Sequence, residues 1–301
     1  MGPVNGESER CAPGKSRPST TDLQVIVRQQ PSPQPSSTTK LVLCMKWGTK
    51  YGADYVNRLQ RMLARHLSPP FQLVCLSDDP RGLDPAIRVL PLPELGCAEP
   101  TNTRGKWRKV ALWGAQLDGL GGPALFVDLD SVIVGDLDPY FSHGDPSAVI
   151  LERNWARPLS GLGQTSVFRF PIGSHPEILA RFRRDPQAIA DRFGYEQHFI
   201  SHCLGDRLQF WPRGWTRHFR LHCLGPMPLR YLRPARLPAG SRIITFPGGP
   251  NPSDVKDGKW KPDSPPYGGR RAHLRRLLER GAWRDLRRFA MPVPWIEQHW
   301  G

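Results

Sequence analysis

The chain is poor in the residues that staple or metallate a small protein. Its six cysteines, Cys11, Cys44, Cys75, Cys97, Cys203 and Cys223, show no Cys-x-x-Cys or other metal-ligand spacing. That argues against a structural zinc site and against a disulfide framework. Cys44 and Cys75 stand inside apolar runs, where a buried free thiol is the expected state, so a reducing, cytoplasmic setting is expected. No Gly-x-Gly-x-x-Gly occurs, which disfavours a dinucleotide-binding Rossmann protein. No apolar run approaches the ~18 residues of a membrane span, and the first residues lack a signal-peptide core. No internal repeat is present. Acidic residues are scarce: 27 Asp and Glu against 42 Lys and Arg, for a net charge of +15. That balance favours acidic partners such as nucleotide phosphates, nucleic acid or an anionic membrane surface. A chain of 301 residues can bury a substantial core in one large α/β domain or a domain with an appendage.

What is present centres on residues 124–141. Ala124, Leu125, Phe126 and Val127 form a short apolar run of the parallel-sheet kind. Asp128 and Asp130 follow at its carboxyl end, where open α/β sheets bind their ligands. In extended backbone an i, i+2 pair shares one face, and two carboxylates there repel unless a cation or proton lies between them. A hard ion such as Mg²⁺ or Mn²⁺, which takes one or two carboxylates plus substrate phosphates, meets that need. Two solvated acids before the Gly135-Asp136 turn satisfy the same spacing.

The flanking order reads as alternating strands and helices. Leu41–Trp47 predicts a first strand, Ala53–His66 a helix with Tyr55, Val56, Leu59, Met62 and Leu63 inward, and Phe71–Leu76 a second strand. Ile87–Leu92 predicts a third. Residues 105–117 predict an amphipathic helix, with Trp107, Val110, Ala111, Trp113, Gly114 and Leu117 near the 3.6-residue period. Beyond the acid pair, Ala148–Glu152, Thr165–Phe170, Leu208–Pro212 and Arg242–Phe246 predict strands, and Ser174–Arg183 a helix capped by Ser174. Asp136 and Asp138 are assigned to the turn before Pro139 rather than to chemistry.

A lysine-bearing helix, a turn, an apolar strand, Asp128-x-Asp130 and then Gly135-Asp-Leu-Asp-Pro-Tyr-Phe141 together resemble the nucleotide-sugar-binding core of the GT-A glycosyltransferases. The resemblance is strongest to the glycogenin and bacterial galactosyltransferase-like family, family 8 and its relatives. It implies an α/β fold of GT-A type: a Rossmann-like, mostly parallel central sheet flanked by helices, with a basic helical C-terminal extension. The implied domains are a disordered Pro/Ser-rich segment at 1–39, a catalytic domain at 40–262 and the extension at 263–301. The implied activity is sugar transfer from a nucleotide-diphosphate donor, UDP-sugar first among them, to a saccharide or lipid-linked hydroxyl, with retained anomeric configuration.

By the same resemblance Asp128 and Asp130 hold Mn²⁺ or Mg²⁺. Trp47, Lys50 and Tyr51 pack against the nucleoside and its phosphates, Asp78 lies beside the base, and Arg104 and Lys109 reach the sugar-phosphate. Gln164 stands in the place of an asparagine that hydrogen-bonds the donor sugar, and Glu196 and Gln197 face sugar and acceptor. Asp130 is counted with Gln164, Glu196 and Gln197 in the catalytic set. Gly248 and Gly249 form a tight loop near the diphosphate, with Lys256, Lys259 and Lys261 after it. The family's third metal ligand is a histidine; Pro247 occupies its position here. Trp211 and Trp215 are candidates for the acceptor side.

Each of these residues has a plain alternative. Trp47 and Tyr51 suit a core edge, Asp78 a turn, Lys109 a solvated helix, and Glu196 a helix start favoured by the macrodipole. Asp128-Leu-Asp-Ser-Val132 also fits the nucleophile motif of haloacid-dehalogenase-type phosphatases, but no lysine lies between Val110 and Val255 to complete it. A non-enzymatic basic protein binding nucleic acid or an anionic surface is the third class; no nucleic-acid module is recognised, and nucleic acid is not an expected partner. Residues 270–290 carry eight arginines against Glu279 and Asp285, with Leu274, Leu277, Leu278, Leu286 and Phe289 on an apolar side. Such a basic amphipathic pair suits peripheral attachment to the inner face of a membrane, or packing on the domain with a solvated basic face.

Overall fold

Leu41-Val-Leu-Cys-Met is apolar at every position, as a strand covered on both faces must be. In the computed structural model it forms β1 (Lys40–Lys46), followed by α1 (Ala53–His66), β2 (Phe71–Ser77) and β3 (Arg88–Leu90). The described residues are 39–265, 267–281 and 283–301; the disorder expected of the N-terminal segment falls on 1–38, outside them. Next come β4 (Pro123–Val127), β5 (Val132–Ile133), α2 (Asp138–Ser142), β6 (Ile150–Arg153) and β7 (Gly163–Pro171). Three helices follow, α3 (Pro176–Arg184), α4 (Pro186–Phe193) and α5 (Glu196–Leu204), and then β8 (Gln209–Phe210), β9 (Thr216–His218) and β10 (Ile243–Thr245). The C-terminal part holds α6 (Pro252–Lys256), α7 (Gly269–Arg280) and α8 (Pro294–Trp300).

Among the described residues seven strands make one sheet, β3-β2-β1-β4-β7-β6-β8, and three make a second, β5-β10-β9. The large sheet is parallel from β3 through β4 and turns antiparallel at β7 on both sides. Side-chain alternation sorts its core into two layers. Val42, Cys44, Leu73 and Cys75 face Val56, Leu59 and Met62 of α1. Leu43, Met45, Val74 and Phe126 face the opposite layer, with Trp107, Trp113 and Phe182. The thiols of Cys44 and Cys75 are free and stand opposite each other on β1 and β2. No helix of the described residues is long and apolar enough to cross a membrane. α8 lodges Ile296 and Trp300 in the α1 layer, and Trp300 meets Tyr55 edge-on at 5.1 Å.

Several sequence expectations change. The amphipathic helix over 105–117 is a 3₁₀-helix, Trp107–Trp113, in which Trp107, Lys109, Val110, Ala111, Leu112 and Trp113 are all buried. It is sandwiched between the sheet and α3, where Trp107 stacks on Phe182 at 5.4 Å and Trp113 on Phe168 at 5.7 Å. With only Arg108 reaching solvent, no continuous solvent face is left for an amphipathic period to serve. Ser174 does not cap α3, which starts at Pro176; its hydroxyl donates instead to the Pro171 carbonyl at 2.8 Å and closes the turn before it. Trp211 is a core residue: its indole donates to the Val167 carbonyl at 3.2 Å and its ring meets Tyr140 edge-on at 4.6 Å. Trp215 packs on the same Tyr140.

Arg169 also departs from the strand pattern. It alternates with Phe168 and Phe170, yet its side chain is fully buried. The guanidinium donates to the carbonyls of Tyr140, Phe141 and Asp145 at 3.0, 3.3 and 2.7 Å, fastening α2 and the turn after it to β7. Arg169→Ala strips those carbonyls of their donors in a dry site. It should lower unfolding free energy by roughly 3 kcal/mol or more, read from urea denaturation followed by tryptophan fluorescence.

Candidate active site

β4 ends at Val127, and Asp128 continues the ladder by donating its N–H to the Ser166 carbonyl of β7 at 2.8 Å. The chain then turns: Ser131 donates its N–H to the Asp128 carbonyl at 3.0 Å, with Leu129 buried beneath. Asp128 and Asp130 therefore come together through a turn and not through the extended i, i+2 geometry expected of a strand. A buried leucine between them anchors the turn and leaves both carboxylates at its rim.

Each acid is held by one partner. The Lys109 ammonium, buried in the 3₁₀-helix, donates to Asp128 Oδ1 at 2.6 Å and to the Thr165 carbonyl at 3.0 Å. The Tyr51 hydroxyl donates to Asp130 Oδ2 at 2.7 Å and lies 3.4 Å from Asn251 Oδ1. Burial, and then the neighbouring Asp128, raise Asp130 to about 6. Burial and the acid beside it push the Tyr51 phenol far above its ordinary range, so it stays protonated and keeps donating.

The sequence-selected residues fall into three groups. Tyr51, Lys109, Asp128, Asp130, Gln164 and Glu196 meet at one place. Glu196, buried at the start of α5, accepts from the Thr165 hydroxyl at 2.8 Å, which links it through Thr165 to Lys109 and Asp128. Gln164 opens β7 two residues before Ser166 and donates to its hydroxyl at 3.2 Å. Gln197 lies beside Glu196 on α5, and its carbonyl accepts from Ser201.

A second group lies on the rim. The exposed Lys50 places its ammonium 4.4 Å from the centre of the Tyr51 ring and draws the Asp130 pKa down. Trp47 borders a cleft of about 230 Å³ shared with Glu99, Lys106, Trp107 and Arg108. Gly248 and Gly249 both have positive φ, 73° and 72°, backbone that side-chain-bearing residues rarely adopt. Their loop leads to Asn251, whose contact with Tyr51 ties it to the acid pair. Asp78 and Arg104 form the third group. Asp78 accepts from the Gly48 N–H at 3.1 Å and shapes the turn after β1, and Arg104 is exposed with no ion pair among the described residues.

Glu152 belongs to this site and was not singled out from the sequence. It sits on β6 in register with Gln164, after a bulge between Leu151 and Glu152. Its Oε1 accepts from the Thr245 hydroxyl at 2.9 Å, while Oε2 is buried without a partner. Burial first, then Asp128 and Asp130, raise its pKa to about 8. The signal was an acid closing the apolar run Ala148-Val-Ile-Leu, the same device that singles out Asp128. Thr165 and Asn251 were likewise missed, since a strand threonine and a loop asparagine carry no marker of their own.

The donor set suits a divalent ion of the hard class. Asp128 Oδ2 and Asp130 Oδ1 have no protein partner among the described residues, and Mg²⁺ or Mn²⁺ takes such carboxylates and completes its shell from phosphate and water. A protein-only cage is not offered: no group of three or more His, Cys, Asp or Glu among the described residues converges on one point. Pro247 has no ligating atom in its side chain. His218 and His222 turn Nδ1 to the backbone N–H groups of Arg220 and His218.

Glu152 yields a stability test with an unusual sign. Its folded-state pKa lies above the ordinary 4.5, so the folded protein holds a proton that the unfolded chain releases. Its contribution is intact below about pH 4.5 and is lost as pH rises toward 8. Glu152→Gln should match the parent near pH 5 and exceed it at pH 8, the gap widening by at most about 1.4 kcal/mol per pH unit. Denaturant melts of both proteins across that range measure it; parallel pH profiles would count against a buried, protonated Glu152.

No protein-family model matches the sequence, and no curated protein matches it. Solved structures do. The apo structure of the bifunctional glycosyltransferase WbbM superposes with a TM-score of 0.52 over 76% of this chain, at 13% identity. The chain spans half of WbbM's length. The galactosyltransferase LgtC, solved in complex with donor and acceptor sugar analogs, superposes with a TM-score of 0.51 over 77% of this chain and 94% of its own, also at 13% identity. The mixed, largely parallel sheet and the helices around it are thus the GT-A glycosyltransferase fold.

Proposed function

We propose that this protein transfers a sugar from a nucleoside-diphosphate donor to a hydroxyl acceptor. The observation that carries the proposal is the Lys109–Asp128 ion pair beside the Tyr51–Asp130 hydrogen bond at the carboxyl end of β4. Support also comes from the fold shared with LgtC, whose structure contains donor and acceptor sugar analogs.

In this reading Asp128 and Asp130 hold Mg²⁺ or Mn²⁺, a Lewis acid for the departing diphosphate. The remaining work falls to the chain's own groups. Lys109 is a fixed positive charge where negative charge grows on the leaving group, and its burial keeps it undiluted by water. Tyr51 orients Asp130 and, through Asn251, holds the Gly248-Gly249 loop near it, where backbone without side chains can approach phosphate. Lys50 supplies further positive charge from the rim. Glu196, fixed by the Thr165 hydroxyl, and Gln164, two residues before Ser166, take the sugar's hydroxyls. Glu152, protonated at neutral pH, lies buried beneath the acid pair as a neutral neighbour and not a third negative charge. The same-face course of the reaction, with retained configuration, belongs to the proposal, as does UDP as the nucleotide.

The phosphatase alternative asks for a lysine downstream of the acid motif. The lysine that reaches Asp128 is Lys109, from the element before it.

A thermal-shift panel of nucleoside diphosphates with and without Mn²⁺ tests the proposal. UDP with Mn²⁺ at saturating concentration should raise the melting temperature by roughly 5 °C, since ligand at a hundred times its Kd adds about 2.7 kcal/mol. Asp130→Ala and Lys109→Ala should abolish the shift and lower UDP-sugar turnover at least roughly a hundredfold. Indifference of the parent protein to every nucleoside diphosphate would overturn the reading.

A further inference from the structure

β9 and the π-helical turn after it, Phe219–Cys223, carry Arg217, His218, Arg220 and His222 within six residues, with no acid among them. Trp155, two residues past β6, is fastened to this segment. Its indole donates to the Thr216 carbonyl at 3.1 Å, the Arg217 guanidinium lies 5.3 Å from its ring centre, and the His222 ring meets it edge-on at 4.7 Å. The Arg220 N–H donates to His218 Nδ1 at 3.1 Å and the His218 N–H to His222 Nδ1 at 3.0 Å, so each ring keeps its own proton on Nε2. Burial, and then Arg220, lower His218 to about 4, and burial followed by Arg217 lowers His222. Both rings are therefore neutral N–H donors near pH 7, and the side chains of the segment offer donors without an acceptor.

Neither arginine has an acidic partner among the described residues. Arg217 is half-buried, and its Nε is wholly buried without a hydrogen-bond partner. The Arg220 guanidinium donates to the Pro247 carbonyl at 3.4 Å. A charge drawn partly out of water and left unanswered is costly, and an anion offsets that cost. Stacking on an indole holds the Arg217 fork in one plane, which suits the paired oxygens of a carboxylate or phosphate. The segment adjoins the acid site: the Thr245 hydroxyl that donates to Glu152 lies 3.4 Å from the Arg217 carbonyl, and Glu152 is in register with Gln164. Positive charge for the donor's diphosphate is already supplied by Lys109 and Lys50, beside Asp128 and Tyr51. The two arginines are charge beyond that need, joined to the site through Thr245 and Glu152.

We propose that the hydroxyl acceptor carries an oxyanion, a carboxylate or a phosphate monoester, and that the Arg217–Arg220 segment holds it, with Trp155 setting the Arg217 fork. The inference rests on the sugar-transfer reading and adds to it the charge of the acceptor.

Saturation-transfer NMR titrations of the full chain, loaded with UDP and Mg²⁺, test it with three probes: methyl β-D-glucuronide, glucose 6-phosphate and the neutral methyl β-D-glucoside. At least one charged probe should bind roughly tenfold or more tightly than the glucoside, since a hydrogen bond to a charged group is worth that much. A preference for the glucuronide marks a carboxylate acceptor, and one for glucose 6-phosphate a phosphate. Arg217→Gln should erase the preference, and Arg217→Lys, which keeps the charge and loses the fork, should recover part of it. Both variants should keep the parent's melting temperature and its thermal shift with UDP and Mn²⁺. Three results would overturn the inference and leave the sugar-transfer reading standing: no preference for either charged probe in the parent, an undiminished preference in Arg217→Gln, or loss of the UDP shift in a folded Arg217→Gln, which would assign the arginine to the donor. A parent without any UDP response would instead overturn the sugar-transfer reading, and the acceptor role with it.

Discussion

The buried ion pair between Lys109 and Asp128, 2.6 Å long, is the contact on which the rest of the site rests. It joins the 3₁₀-helix to the end of β4, and the same ammonium reaches the Thr165 carbonyl of β7. Three elements far apart in sequence are thereby pinned at one point. A lysine this dry needs a counter-charge, and a carboxylate so near Asp130 and Glu152 needs a cation. Each requirement answers the other, so the pair determines where negative charge is tolerated around it.

That arrangement divides three carboxyl groups among three environments. Asp128 is paired with a full positive charge. Asp130 has a hydroxyl donor and a raised pKa. Glu152 has a single threonine hydroxyl and one orphaned oxygen, and burial keeps it protonated near neutrality. A proton, a hydroxyl and an ammonium thus together offset the repulsion among the three carboxyl groups in the folded protein. The two carboxylate oxygens without protein partners among the described residues are what a cation would engage.

Much of this was legible in the chain. The α1 boundaries, the strands up to β4 and the position of the acid pair follow from apolar runs and periodicity, because those elements bury a regular face against their neighbours. Where burial is complete the pattern loses its meaning. Of residues 107–113 all but Arg108 are buried, so their periodicity reports no solvent face, and a 3₁₀-helix replaces the amphipathic one. Arg169 is polar by type and wholly inside, because three carbonyls at the end of α2 supply its partners. Asp128 and Asp130 converge for a different reason from the one their spacing suggests. In the C-terminal part the alternation of leucine and arginine is visible in sequence, whereas the exposure of Leu278 and Trp283 is not.

The sequence by itself determined the alternating α/β order, the acids at the end of a buried strand, the glycines of the loop after β10 and the basic C-terminal surplus, since each depends only on local residue types. Only the tertiary structure decided that Lys109 points inward to Asp128, that Tyr51 bridges Asp130 and Asn251, and that Glu152 on β6 completes the group. Those contacts join residues separated by tens to hundreds of positions. Their existence depends on which strands become neighbours in the sheet, a matter settled by packing of the two core layers and not by any local pattern.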